Sequence, residues 1–192
     1  MVNVFNAADL SRCLVDLHIE KGAVCVDATC ANGDNTLYLS KKVGQSGFVY
    51  SLDKSQEACR TASSLLRRNS VTNAKVICDD YENIDAHIFK KIDCAIFDLP
   101  SDYKNITTSE KLISAIIKTL ELLNSGGIIN LCICVSNDKG RKDEKKIEKF
   151  YSKLNKDEYQ ILYLLYVSSY LYPAHSLPMI QLELLKHQAE FL

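Results

Sequence analysis

The 192-residue chain carries 23 Lys and Arg against 24 Asp and Glu, a formal charge of -1, and 47% apolar residues. That content supports a buried core in a single domain over residues 1–192, and the near-neutral balance excludes a general electrostatic coat for nucleic acid. No run of about 18 apolar residues occurs, which excludes a helical membrane span, and the opening MVNVFNAADLSR lacks the pattern of a secretion signal.

Residues 6–21 are predicted to form an amphipathic helix with Leu10, Cys13, Leu14 and Leu17 at helical spacing, stopped by Gly22. Residues 23–28 read as a buried parallel strand, followed by a small polar loop over 29–36 and a leucine-rich helix to about Lys42. A second strand over 48–52 ends at Asp53, and a helix over 56–68 has a basic end. A strand over 74–78 precedes Asp79 and Asp80, and a short helix near 81–89 leads into a strand over 92–97 that ends at Asp98. A long helix over 108–123 meets Gly126-Gly127, which turns it into the apolar strand 128–135. Charged residues 138–148 open another helix, ending near Leu154.

Five strand-then-helix units of this kind predict an α/β fold, a parallel sheet covered on both faces. The β-rich segments 159–167 and 177–185 have no clear helix between them, so an antiparallel pair joined through 168–176 is expected to close one side. That makes seven strands, mostly parallel. The eight cysteines form no Cys-x-x-Cys pair and fall mostly in apolar runs, so they read as reduced core residues of a cytoplasmic chain rather than as a metal or disulfide framework. His18, His87 and His187 show no partner pattern, and no metal site is expected from the histidines.

Acidic residues stand at the ends of three consecutive strands: Asp27, Asp53, and Asp79 or Asp80. In a doubly wound sheet those ends line one crevice, and a carboxylate after the second strand can accept both hydroxyls of a ribose. The competing reading is that each Asp begins a turn or caps a helix. The loop after the first strand holds only Gly33, with neither the three spaced glycines of a dinucleotide site nor a P-loop, which disfavours NAD. A small polar loop suits a phosphate-free cofactor such as S-adenosyl-L-methionine, whose cationic tail would favour Asp27; an ordinary strand–helix turn is the alternative. The expected cofactor set is Asp27, Thr29, Asn32, Gly33, Asn35, Thr36, Asp53, Lys54, Asp79 and Asp80.

The run Val26-Asp27-Ala28-Thr29-Cys30-Ala31-Asn32-Gly33-Asp34-Asn35-Thr36 resembles the first motif of the bacterial putative rRNA methylase family, one branch of which is similar to tRNA 5-(aminomethyl)-2-thiouridine methyltransferases. Ile106-Thr107-Thr108, the run from Leu123 to Ile129 through Gly126-Gly127, and the segment around Tyr172-Pro173 match in the same order. The resemblance implies a Rossmann-like class I methyltransferase fold, S-adenosyl-L-methionine as cofactor, and methylation of the exocyclic amine of a modified wobble uridine. The family's first loop usually reads Gly-Asn-Gly-His-Asp-Thr, so its histidine is Asp34 here and its aspartate is Asn35. Its Asn-Leu-Gly-Tyr-Leu-Pro-Gly-Gly-Asp stretch is shortened to Asp98-Leu99-Pro100-Ser101-Asp102, with Tyr103 in place of the last aspartate. Its Tyr-His-Gly-His run is Cys134-Val135-Ser136-Asn137, and its Asn-Gln pair is Ser168-Ser169.

Methyl transfer to an amine needs an acceptor that orients the N–H groups of the neutral form, and Asp98 is placed for that role; Tyr103 is the candidate for stacking on a base. A loop cap and a packing ring are the structural alternatives. Thr107 and Thr108 precede Glu110 and read first as helix caps. Arg67, Arg68, the 139–142 run, Lys145 and Lys146 are candidate contacts to tRNA or rRNA, or simply a solvated face. Tyrosines 159, 163, 166, 170 and 172 read as strand packing or a homodimer surface, and Pro173 and His175 as the lip of the site. A non-catalytic nucleotide- or RNA-binding protein and a small-molecule methyltransferase are the competing functions.

Overall fold

A parallel strand covered on both faces must be apolar on both, and Val24–Asp27 (β1) meets that demand, with Cys25 and Val26 shut off from solvent. The computed structural model describes residues 7–99, 108–134, 138–166 and 179–186. In chain order the elements around β1 are α1 (Ala7–His18), α2 (Asp34–Val43), β2 (Phe48–Leu52), α3 (Gln56–Arg68) and β3 (Ala74–Ile77). A 3-10 turn (Tyr81–Asn83) runs into α4 (Ile84–His87), then come β4 (Ile92–Leu99), α5 (Ser109–Leu122) and β5 (Leu123–Cys134). Finally α6 spans Asp138–Tyr151, β6 Tyr159–Tyr166 and β7 Met179–Lys186.

The strands form one sheet in the order β3-β2-β1-β4-β5-β7-β6. The pairs from β3 to β5 are parallel, and β7 runs antiparallel to both β5 and β6. Chain order reverses between β1 and β4, so their C-terminal ends part and open a crevice there. One face packs Val15, Leu39, Val49 and Ile96 under α1 and α2; the other packs Leu52, Phe97, Leu112, Ile116 and Leu131 under α5. No helix among the described residues is long and apolar enough to cross a membrane.

Several boundaries shift for tertiary reasons. The first helix buries Ser11, Val15 and, just past its end, Ile19, whereas Leu17 of the expected stripe is 78% exposed. Its rotation follows a polar contact that no local pattern announces: Ser11 Oγ donates to Oδ1 of the buried Asn130 at 2.6 Å. The fourth strand continues to Leu99, so Asp98 lies inside it, because β5 carries the ladder on with Cys132 and Ile133 beside Asp98 and Leu99. Gly126 and Gly127 lie within β5, at a register shift between Ile92 and Cys94. The short helix ends at His87, leaving Phe89 exposed. Cys25, Cys30, Cys59, Cys94 and Cys132 are buried as expected, but Cys78, just past the end of β3, is exposed. Thr108 is the N-cap of α5, its Oγ1 accepting from the Lys111 N–H at 3.3 Å; Thr107 lies outside the described residues.

Gly33 opens α2 at φ +92, and a Cβ added there would meet Ala62 Cα of α3 at 2.9 Å. Gly33→Ala therefore combines a left-handed backbone with a clash against a helix backbone. A loss of about 1–3 kcal/mol in urea unfolding, with an unchanged dependence on denaturant, is expected.

Candidate functional site

The crevice is built from carboxylates at strand ends, each held by the loop beside it. Asp27 closes β1 fully buried; Thr36 Oγ1 donates to its Oδ2 at 2.6 Å and the Thr29 N–H to its Oδ1 at 3.3 Å. Thr36 has one hydroxyl proton, so Ser51 Oγ, 2.7 Å away, is left to donate to Thr36. Burial pushes the Asp27 carboxyl up to about 6, against the opposing pull of the Thr36 and Thr29 bonds, and the nearby Asp98 and Asp53 charges add to the rise.

Asp53 lies just beyond β2 and ties two loops together. Its Oδ2 accepts the Ala31 N–H at 3.0 Å and its Oδ1 the Ser55 N–H at 2.8 Å. Ala31 sits at φ +44, a conformation that is costly for a residue with a Cβ, and the bond to Asp53 helps to hold it there. In β4 the Asp98 N–H donates to Thr29 Oγ1 at 2.9 Å, while its carboxylate Oδ2 accepts from Asn35 Nδ2 at 3.3 Å.

A cavity of about 270 Å³ opens over these strand ends. Thr29, Asp53, Lys54, Asp80 and Asp98 line it, with Ala28, Ala31, Ala58, Tyr81 and Leu99 as its apolar walls. The Tyr81 ring is fixed edge-on to Phe97, centroids 5.9 Å apart. Five members of the expected cofactor and catalytic sets thus share one space. The others stand elsewhere. Asp27 and Thr36 are buried off the cavity wall, and Asn32 is exposed, donating to Asp34 Oδ2 at 2.7 Å. Gly33 is pressed onto α3, so its job is close packing and not room for a ligand tail. Asn35 reaches the site through Asp98.

Asp79 is a further correction: it accepts from Asp80 N–H, Asn83 Nδ2 and His87 Nε2 at 2.7, 2.9 and 2.7 Å, and the His87 and Asn83 bonds lead in holding its carboxyl down at about 2. His87 therefore has the partner that its sequence neighbourhood did not reveal. Asp80 caps the 3-10 turn through the Glu82 N–H at 3.1 Å and still lines the cavity. Tyr103, Tyr170, Tyr172, Pro173 and His175 lie outside the described residues.

Of the candidate RNA contacts, Arg67 and Arg68 are exposed at the end of α3, roughly 15 Å along the helix from the cavity. Lys145 is exposed and Lys146 pairs with Glu110 at 2.7 Å. The expected set omitted Ser55, Ala58, Tyr81, Leu99 and Arg12. Ala58 and Leu99 carry no chemical flag, and Arg12 comes from a helix far away in sequence. Three carboxylates and Lys54 around apolar walls fit an adenosyl group with a cationic tail, whereas a pyrophosphate would face like charge.

The family model described as "Putative rRNA methylase" matches residues 49–177. A chloroplastic tRNA (mnm(5)s(2)U34)-methyltransferase of Arabidopsis thaliana is 28% identical over 163 residues, 77% of this chain and 60% of that protein. The chain thus spans about 60% of that relative's length. A crystal structure of a "putative rRNA-methylase" from Clostridium thermocellum superposes with TM-score 0.84 at 26% identity, covering 96% of this chain and 99% of that one. A "putative methyltransferase" from Streptococcus mutans, solved in complex with SAH, superposes with TM-score 0.79 at 24% identity over 96% of this chain and 99% of that one. The fold is the Rossmann-like α/β fold of these proteins.

The elevated Asp27 pKa has a consequence for stability. An acid whose folded value, about 6, lies above its ordinary value of 3.8 favours the folded state when protonated. Its penalty is absent below pH 3.8, grows as pH rises through this window, and is complete above 6. Asp27→Asn is expected to gain on the order of 1–3 kcal/mol at pH 7–8 and to flatten the slope between pH 4 and 6, read from thermal melts across that range.

Proposed function

This chain belongs to the rRNA methylase family, and from that premise we propose that it is an S-adenosyl-L-methionine-dependent methyltransferase acting on an amine of RNA, in a tRNA wobble-uridine derivative or in rRNA. The reading includes the seven-stranded class I arrangement, a single domain and a cytoplasmic setting. One observation carries it: Asp53 lines the cavity, and among the described residues each of its carboxylate oxygens accepts a single backbone N–H. A carboxylate oxygen has two lone pairs, so both keep one for a ribose hydroxyl. Ala28, Ala31, Ala58, Leu99 and Tyr81 would enclose the adenine, with Asp80 at its edge. Asp27, buried behind Thr29, would supply negative potential toward the cationic tail. When bound, S-adenosyl-L-methionine supplies an electrophilic methyl group.

Asp98 accepts the N–H groups of the neutral amine, which orients the nitrogen lone pair toward the methyl. Tyr103 is proposed to stack on the base. The family's usual Asp at position 35 and Asn at position 98 stand here as Asn35 and Asp98, within 3.3 Å of each other. Amide and carboxylate stand in exchanged places here and are joined by a hydrogen bond, which supports reading the two departures as a compensating pair.

Isothermal titration with S-adenosyl-L-methionine, followed by transfer of labelled methyl to bulk tRNA and rRNA, tests the proposal. Asp53→Ala should weaken cofactor binding at least about 30-fold, about 2 kcal/mol, with circular dichroism confirming the fold. Cofactor binding with no transfer to either RNA would instead favour a non-catalytic binding protein, and transfer only to small amines a metabolite methyltransferase. Asn35→Asp alone places two carboxylates together and should lower transfer at least about 10-fold. Adding Asp98→Asn should restore most of it in a double-mutant cycle.

A further inference from the structure

We propose that Arg12 is a positioning residue for methyl transfer, acting through Asn35 on the Asp98 carboxylate; this rests on reading Asp98 as the group that receives the substrate amine. Arg12 Nη2 donates to Asn35 Oδ1 at 3.4 Å, and Asn35 Nδ2 donates to Asp98 Oδ2 at 3.3 Å. The guanidinium lies over the Tyr38 ring, 5.3 Å from its centroid. An amide has two unlike ends, and which end faces Asp98 depends on what holds the other. Arg12 is a permanent donor, so it holds the Asn35 oxygen and turns the Asn35 nitrogen toward Asp98. A flipped amide would set oxygen against carboxylate and push Asp98 from its place.

A purely structural role explains Arg12 poorly. Among the described residues its buried Nε–H meets no acceptor, which costs stability. The first helix is already tied to the second by Tyr38 Oη, which donates its one proton to Asp16 Oδ1 at 2.8 Å and lies 3.1 Å from Arg12 O, and by the Lys42–Asp16 pair at 3.0 Å. None of these bonds uses the guanidinium.

Arg12→Met keeps the length and packing of the side chain and removes the donor; Arg12→Lys keeps the charge. With labelled methyl transfer to bulk tRNA, Arg12→Met is expected to lower kcat at least about 10-fold with KM changed less than about 3-fold, and Arg12→Lys to recover part of the loss. Calorimetric affinity for SAH and the melting temperature should stay near wild type. In the ligand-free protein, NMR should show the Asn35 side-chain amide pair shifted or broadened in Arg12→Met, a readout that needs no activity. Unchanged Asn35 amide signals, or wild-type kcat in Arg12→Met, would overturn the proposal. A wild-type protein that neither binds SAH nor transfers methyl would overturn the reading of the site itself, while the Asn35 signals would still decide whether Arg12 orients the amide.

Discussion

The Asp53 carboxylate joins the loop after β1 to the loop after β2, and the shape of the crevice depends on that bridge. With one oxygen on Ala31 and the other on Ser55, it sets how far the first loop leans over the cavity and where α3 begins. The bridge also helps Ala31 keep its positive φ, which brings the loop backbone over the cavity floor. Charge-assisted bonds to backbone N–H groups are stronger than neutral ones and leave the carboxylate in place without a side-chain partner. One acid can thus shape the pocket and still present acceptors to it.

Below this rim the α1/α2 face of the sheet is polar at its C-terminal edge and at the Ser11–Asn130 pair. Ser51, Asp27 and Asp98 share that edge, and Thr36 and Asn35, in the first turn of α2, reach down to them. The remainder of the face is aliphatic or thiol, with Val15, Leu39, Val49, Cys94 and Ile96 in contact. Burying a carboxylate costs stability, and Asp27 shows it in a raised pKa despite its hydrogen bonds. The fold offsets that cost with a large apolar core on the other face, under α5.

Solved structures that superpose at TM-scores of 0.84 and 0.79 cover nearly the whole chain, and in this chain the first loop shapes the cavity with small residues. Small side chains at Ala28, Ala31 and Ala58 leave the cavity open, while Gly33 lets the loop settle on α3. The glycine's effect is indirect: it lets the loop and α3 approach, and the alanines then define the wall.

Periodicity determined the elements and their order, because a buried parallel strand and an amphipathic helix each leave a short-range pattern of apolar residues. Residues 48–52 and 56–68 were legible to the last residue for that reason. The placement of Asp53 just after the second strand was legible too, and Asp98 was placed within one residue of the end of the fourth. Which acid would line the cavity was not: Asp79 and Asp80 are adjacent and alike, and it is the turn that follows, bringing Asn83 and His87 back onto Asp79, that separates them. Leu17 and Arg12 belong to the same helix, whose rotation was decided by Ser11 meeting Asn130 across the sheet. A chain specifies its local periods by itself. Long-range hydrogen bonds between buried polar groups depend on directions that exist only once the sheet has formed, so the tertiary structure alone settled which of those groups would serve the site.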